Sequence, residues 1–343
     1  MESLALWQLL AVFAVASAVI VAAGIALAQS GDEIAGRTGL GGFLVGMLLL
    51  ATATSLPELA TGVSAALDRA PDLAVGNLLG SSMANMAILA VIDLAHRGRV
   101  WPTVGIAHAR LASIAIALTA LAVLAVLSPS GIALGWVGIE TVLIVAAYIA
   151  AAAWISRSPG EGRRARDISG EIISPIRWAS EVVAGHSLRF EIAVFAIAAG
   201  VILAMAPILT LSAEGIAKET GIGETFIGAL ALAATTSLPE LVASLAAIRI
   251  GAYDLAVGNL FGSNAFNMTI LLGVDLAYTP GPILAVVDPS QVIAGVGAIL
   301  LMAIALAAVV HGTRTRFRKL EPDAVVLLVA YVLLLAALWR SSS

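Results

Sequence analysis

The chain contains no cysteine in 343 residues, which excludes disulfides, thiolate metal sites and thiol catalysis. Charge is also scarce. Only 12% of residues are charged while 60% are hydrophobic, with a mean hydropathy of +1.03, whereas soluble domains carry roughly a quarter charged residues. Such a chain cannot cover a soluble fold with polar surface, so its composition is that of a polytopic membrane protein. Histidine is equally sparse. The four present, His96, His108, His186 and His311, fall in predicted loops or at span ends, so no imidazole ligand is expected at mid-membrane depth.

What is there is a series of long apolar runs. A span needs about 20 apolar residues, and ten can be drawn, at 5–29, 40–68, 71–95, 108–128, 131–156, 191–214, 223–250, 253–277, 288–312 and 322–340. The first ends near Ala26-Leu27-Ala28, which resembles a signal-peptidase site. No basic segment precedes it and the run is too long for a usual signal core, so it is read as a span. With the N-terminus outside, only Arg69, Lys218 and Arg340 of the 18 Lys and Arg residues fall on the outer side. That asymmetry follows the positive-inside rule, supports ten spans, and makes the basic loops topology signals rather than nucleic-acid patches.

The two halves repeat each other. An offset of 182 residues places Ser55 on Ser237, Asp72 on Asp254, Gly76 on Gly258, Ser81 on Ser263, Asn85 on Asn267 and Asp93 on Asp275, without a gap. Five spans per half turn the second copy upside down. The fold class predicted is therefore all-α: ten transmembrane helices in two inverted five-helix repeats, 1–156 and 191–343, with broken helices at the midplane. Residues 157–190, polar and Arg-rich with Gly160, Gly162 and Pro175, form a cytoplasmic connecting loop too short for a further domain of usual size. Inverted repeats with broken helices are a common plan of secondary transporters.

Thr-Ser-Leu-Pro-Glu-Leu occurs at Thr54–Leu59 and again at Thr236–Leu241, in apolar surroundings both times. A carboxylate in hydrocarbon costs at least a few kcal/mol, and an intramembrane proline leaves backbone carbonyls to be satisfied elsewhere. Pro57 removes a donor from the helix and crowds the turn before it, so carbonyls of Ala51 to Thr54 are expected to lose partners; Pro239 acts likewise on Ala233 to Thr236. With the hydroxyls of Thr54, Ser55, Thr236 and Ser237 and the carboxylates of Glu58 and Glu240, this is an all-oxygen ligand set suited to Ca²⁺, Mg²⁺ or Na⁺. Asn77, Ser81 and Asn85, spaced i, i+4, i+8, put a polar stripe on one face of the next helix, as do Asn259, Ser263 and Asn267. Gly76 with Gly80, and Gly258 with Gly262, allow close helix approach.

Other acidic residues read as structural. Asp72 and Asp254 begin spans as caps or helix-dipole partners, and Asp93 and Asp275 lie at span ends in solvated or capping roles. Glu140 falls inside the fifth apolar run without a repeat counterpart, open to a bond with another helix or to tuning protonation. Glu214, Lys218, Glu219 and Glu224 belong to an outer loop. Tyr253-Asp254 matches half of an intramembrane aspartyl protease pair, but no Gly-x-Gly-Asp partner exists, so no enzyme is expected.

Ala51-Thr-Ala-Thr-Ser-Leu-Pro-Glu58 with Gly76-Asn-Leu-Leu-Gly-Ser-Ser-Met-Ala-Asn85, and Ala233-Ala-Thr-Thr-Ser-Leu-Pro-Glu240 with Gly258-Asn-Leu-Phe-Gly-Ser-Asn-Ala-Phe-Asn267, resemble the two alpha-repeats of the prokaryotic sodium/calcium exchangers of the cation/calcium antiporter superfamily. The resemblance implies that Glu58 and Glu240 bridge Ca²⁺ with the main-chain oxygens of Thr54 and Thr236. It further implies Na⁺ sites built from the carbonyls of Ala51 and Ala233, the hydroxyls of Thr54, Ser55, Ser81, Thr236, Ser237 and Ser263, and both glutamates, with Asn85 and Asn267 completing the centre. It implies alternating access by sliding of the first and sixth spans, no prosthetic group, a monomeric transport unit in lipid, and a plasma (inner) membrane location.

Three departures stand out. Ala53 and Thr235 replace the glycine common before the Thr-Ser pair, Asn267 stands where many relatives have Asp, and the loop 157–190 leaves no room for regulatory calcium-binding domains. Two ionised glutamates neutralise one Ca²⁺; three Na⁺ on the same pair leave about one positive charge, and two protons leave none. Sodium exchange would then be electrogenic and proton exchange not. The predicted function is Ca²⁺/Na⁺ antiport, with H⁺/divalent exchange or Mg²⁺ transport at the same two glutamates as the alternative.

Overall fold

A computed structural model of the chain describes residues 5–96, 100–156, 187–220, 236–311 and 322–342. Among these, the architecture is almost wholly helical: α1 Leu6–Thr38, α2 Gly41–Thr54, α3 Leu56–Leu67, α4 Pro71–Ala95, α5 Ala107–Leu127, α6 Ile139–Ser156, α7 Leu188–Thr220, α8 Leu238–Arg249, α9 Tyr253–Ala277, α10 Gln291–His311 and α11 Pro322–Ser342. Seven helices are long and apolar enough to cross a membrane, and the α2–α3 pair, bent by 41° at Ser55, makes eight among the described residues.

Sequence punctuation accounts for many of the boundaries. Gly39, at φ +73°, ends α1 in the left-handed conformation that a Cβ disfavours. Pro57, Pro71, Pro239 and Pro322 sit in first turns, where a missing N–H leaves no bond unmade. The repeat survives in the element lengths. α3 and α8 are both 12 residues long, α4 and α9 both 25, each pair offset by the same 182 positions.

The bundle is arranged apolar side out. Leu121, Leu124, Leu127, Val326, Val329 and Leu333 are exposed, while Thr54, Ser55, Glu58, Ser81, Asn85, Ser237, Glu240, Ser263 and Asn267 are buried. In water that distribution would be unfavourable on both counts; in lipid it is the expected one. α9 is the hub, packing on α2, α3, α4, α5, α6 and α8, whereas α1 lies along α7 and reaches α8.

Several spans differ from expectation. The fifth begins at Ile139 rather than at 131, because Ala133–Leu134 (β1) and Val137–Gly138 (β2) pair as a small antiparallel hairpin with Gly135 at φ +70°. The first and sixth are longer than their apolar runs, reaching Thr38 and Thr220. Helical hydrogen bonding continues past the point where hydrophobicity stops. Residues 223–235 of the seventh span, and most of the connecting loop, lie outside the described residues.

The end-of-span acids also differ. Asp72 and Asp254 stand in the first turns of their helices, as expected of helix-dipole partners, but do not cap them, since Ala70 and Ala252 occupy the cap positions. They reach across to neighbours instead: Asp72 Oδ1 accepts from the Asp288 backbone N–H at 2.7 Å, and Asp254 Oδ1 lies 2.8 Å from His108 Nε2. Asp93 and Asp275 are fully buried rather than solvated. Asp275 accepts from the backbone N–H groups of Gly138 and Ile283 and from the Thr141 hydroxyl, and Asp93 from the Val100 N–H, so each fastens a turn to a helix end. Glu140 likewise accepts from the Ser130 N–H at 2.7 Å and braces the hairpin.

Candidate cation site

Both glutamates stand in the first turn of a helix that starts at a break, Glu58 in α3 and Glu240 in α8. The N-terminal end of a helix carries partial positive charge, which offsets part of the penalty of placing a carboxylate there. Pro57 cannot donate, yet the turn before it is not fully opened: the Ala51 carbonyl still accepts from the Ser55 N–H at 3.0 Å and meets the Thr54 hydroxyl at 3.4 Å. The expectation that Ala51 loses its helical partner is therefore corrected, because the donor Pro57 lacks would have served the carbonyl of Ala53, two residues further on. A carbonyl oxygen has two lone pairs, so the bond from Ser55 does not exhaust it.

The two halves interlock at this level. Ser55 Oγ, from the first break, donates to Glu240 Oε1 at 3.2 Å. Ser81 Oγ, on α4, donates to Glu58 Oε1 at 2.7 Å and lies 2.7 Å from Ser237 Oγ of the second break. A hydroxyl has one proton, so with Ser81 donating to Glu58, Ser237 must donate to Ser81. Thr54 Oγ1 donates to Asn259 Oδ1 at 3.1 Å and lies 3.4 Å from Ser263 Oγ, while Asn259 Nδ2 donates to Ser244 of α8 at 3.0 Å. Glu58 and Glu240 are both 0% exposed and close enough for their charges to interact.

Each carboxylate keeps one oxygen in reserve. Glu58 Oε2 and Glu240 Oε2 are buried and have no hydrogen-bond partner among the described residues, and the same holds for Asn85 Oδ1 and for both side-chain polar atoms of Asn267. Buried polar atoms are nearly always paired, and an unpaired carboxylate oxygen is the most costly kind. Buried, unpaired oxygens of this type suit a hard cation with a high coordination number.

Of the residues expected from sequence, Glu58, Glu240, Thr54, Ser55, Ser81, Ser237 and Ser263 fall in three hydrogen-bonded groups, Ser55 with Glu240, Glu58 with Ser81 and Ser237, and Thr54 with Ser263, each containing residues of both halves. Thr236 is buried at the second break, Asn85 lies one turn beyond Ser81 on α4, and Asn267 is fully buried on α9. Ala233 falls outside the described residues. Three residues stand outside the expected ligand set yet support it: Asn259, expected only on the polar stripe, which anchors Thr54; Ser244, which anchors Asn259; and Asn264, which donates to the Ser82 carbonyl at 3.1 Å and accepts from Asn85 at 3.0 Å. Asn264 has an available signal, since it lies one helical turn from Asn267 and follows Ser263 directly.

Known proteins share this plan. A family model described as "Sodium/calcium exchanger protein" matches residues 8–156 and 190–340. CaxA of Alkalimonas amylolytica is 30% identical over 313 residues, covering 88% of this chain and 89% of that one. The inner membrane protein YrbG of Escherichia coli K12 is 29% identical over 250 residues, covering 71% and 72%. A solved structure of the sodium-calcium exchanger NCX_Mj, soaked with 2.5 mM Na⁺ and 0.1 mM Sr²⁺, superposes with a TM-score of 0.71 at 19% identity, covering 97% of this chain and 99% of that one. At that identity the superposition speaks for the fold, while the family model and CaxA speak for kinship. Matched in both halves by the family model, the chain belongs to the sodium/calcium exchanger family, whose members are membrane transporters rather than enzymes.

Proposed function

We propose that the protein exchanges Ca²⁺ for Na⁺ across a membrane by alternating access, with Glu58 and Glu240 sharing the ion. The observation that carries this reading is the pair of fully buried carboxylates, each with one oxygen held by a hydroxyl and one left unpartnered. Two carboxylate charges balance one Ca²⁺, so the loaded centre crosses between states without a large electrostatic penalty. The residues proposed to hold the ions are Glu58, Glu240, Thr54, Thr236, Ser55, Ser237, Ser81, Ser263, Asn85, Asn267, Ala51 and Ala233. Residues 1–156 and 191–343 are taken as inverted repeats with the loop 157–190 on the cytoplasmic side. Support for a mobile pair comes from α1, which packs along α7 and beside α8 rather than within the α4–α9 core. One such chain in the plasma (inner) membrane would make a complete transport unit.

Reconstituted vesicles test it. An outward Na⁺ gradient should drive Ca²⁺ uptake and carry net charge, while a pH gradient of equal size should not. Uptake that ignores Na⁺ and follows pH without current would favour H⁺/divalent exchange, and Mg²⁺ uptake in place of Ca²⁺ would favour the magnesium alternative.

A further inference from the structure

The orientation of one carboxamide in the site is dictated by a residue outside the expected ligand set. The Ser82 carbonyl in α4 can only accept, so the Asn264 atom that meets it at 3.1 Å is the amide nitrogen. That choice fixes the other end. Asn264 Oδ1 is then the atom facing Asn85, and it accepts from Asn85 Nδ2 at 3.0 Å. With its nitrogen held, Asn85 turns its oxygen the opposite way; Asn85 is 0% exposed and its Oδ1 has no partner among the described residues. Asn85 also lies one turn beyond Ser81, whose hydroxyl holds Glu58, so the two residues share a helix face.

We infer that Asn264 is a positioning residue that locks Asn85 as an oxygen donor toward the cation held by Glu58 and Glu240. The inference rests on the proposed reading of that centre. An amide has two ends of opposite polarity. Presented by its oxygen it attracts a cation; rotated by half a turn it presents an N–H₂ and repels one. Among the described residues the second half shows no such lock. The position 182 residues before Asn264 is Ser82, and its hydroxyl is committed to the Leu78 carbonyl of its own helix at 2.9 Å. Asn267, the counterpart of Asn85, correspondingly has no partner at either side-chain atom among the described residues. Among the described residues, one amide of the pair has an orienting partner and the other has none.

The test places in the second half the residue native to the first. Na⁺-driven ⁴⁵Ca²⁺ uptake by the full chain in vesicles is measured for Asn264→Ser in the unmodified and in the Asn85→Ala backgrounds, with melting temperature followed in detergent. The expected result is that Asn264→Ser raises half-saturating Ca²⁺ by about tenfold in the unmodified background, in keeping with loss of one oriented polar contact. In the Asn85→Ala background the same change should shift half-saturation by less than about twofold, since the amide it positions is gone. An equal shift in both backgrounds, or none in either, overturns the inference while leaving the exchange reading intact. Absence of Ca²⁺ uptake by the unmodified protein overturns that reading and this inference with it. If Asn264→Ser does not yield folded protein, Asn264→Ala is put through the same cycle, and the same two outcomes decide.

Discussion

The α2–α9 seam and the α4–α10 seam carry the same repeated glycine, Gly258 on α9 and Gly76 on α4, yet what faces that glycine among the described residues differs. Along the first, a Cβ on Gly46 would stand 2.5 Å from the Leu255 carbonyl oxygen, one on Gly258 3.0 Å from the Phe43 carbonyl oxygen, and one on Gly262 2.8 Å from Met47 Cα. Backbone meets backbone there. At Gly76, the counterpart of Gly258, the nearest atom among the described residues is the Gln291 side-chain oxygen at 2.7 Å, the far end of a flexible group. The same glycine therefore serves two purposes. In one half it brings α2, and with it Thr54 and Ser55, against α9 without intervening side chains; in the other it leaves room for a side chain that can move away. The sequence repeats the residue, and the packing decides how much depends on it.

The sharpest way to break the comparison is at the carboxylates, where the two halves should not differ. Glu58→Gln and Glu240→Gln should each reduce Na⁺-driven Ca²⁺ uptake by on the order of a hundredfold or more, because each removes a buried charge from the same ion while nearly preserving volume. Near-normal uptake in one variant alone would show that the halves do not share a centre.

Next in size is Asp275→Asn. Its carboxylate accepts from Gly138, Ile283 and Thr141, and an amide nitrogen in its place would face a donor. A loss of roughly 1–3 kcal/mol is expected, seen as a lower melting temperature in detergent with Ca²⁺ affinity unchanged.

The seams themselves come third. Gly258→Ala should destabilise by about 1–3 kcal/mol, whereas Gly76→Ala should stay within about 0.5 kcal/mol because Gln291 can rotate aside. Equal melting temperatures for the two variants would remove the contrast between the seams. The smallest contrast separates two serines. Ser81→Ala should raise half-saturating Ca²⁺ by about tenfold and Ser263→Ala by about threefold, since Ser81 bonds a carboxylate at 2.7 Å and Ser263 meets the Thr54 hydroxyl at 3.4 Å. Saturation curves in vesicles give both values.

Much of this molecule follows from its sequence alone. Scarce charge and long apolar runs require lipid as solvent, since nothing else lets Leu124 and Val329 face outward while Glu58 and Glu240 lie inside. The repeat at 182 residues, the proline breaks and the two glutamates are legible for the same reason: in a membrane segment, polar and helix-breaking residues are too costly to be incidental. Only the tertiary structure decided which hydroxyl serves which carboxylate. Ser55 answers to Glu240 in the other half, 185 positions away, whereas Ser81 holds Glu58 on the neighbouring helix and accepts a second bond from Ser237. It also decided that Asp275 is buried beneath a hairpin and that Asn264 orients Asn85. Periodicity places a side chain on a face of its own helix; the partner it finds depends on how helices far apart in the chain cross, and hydrogen bonds act only over about 3 Å.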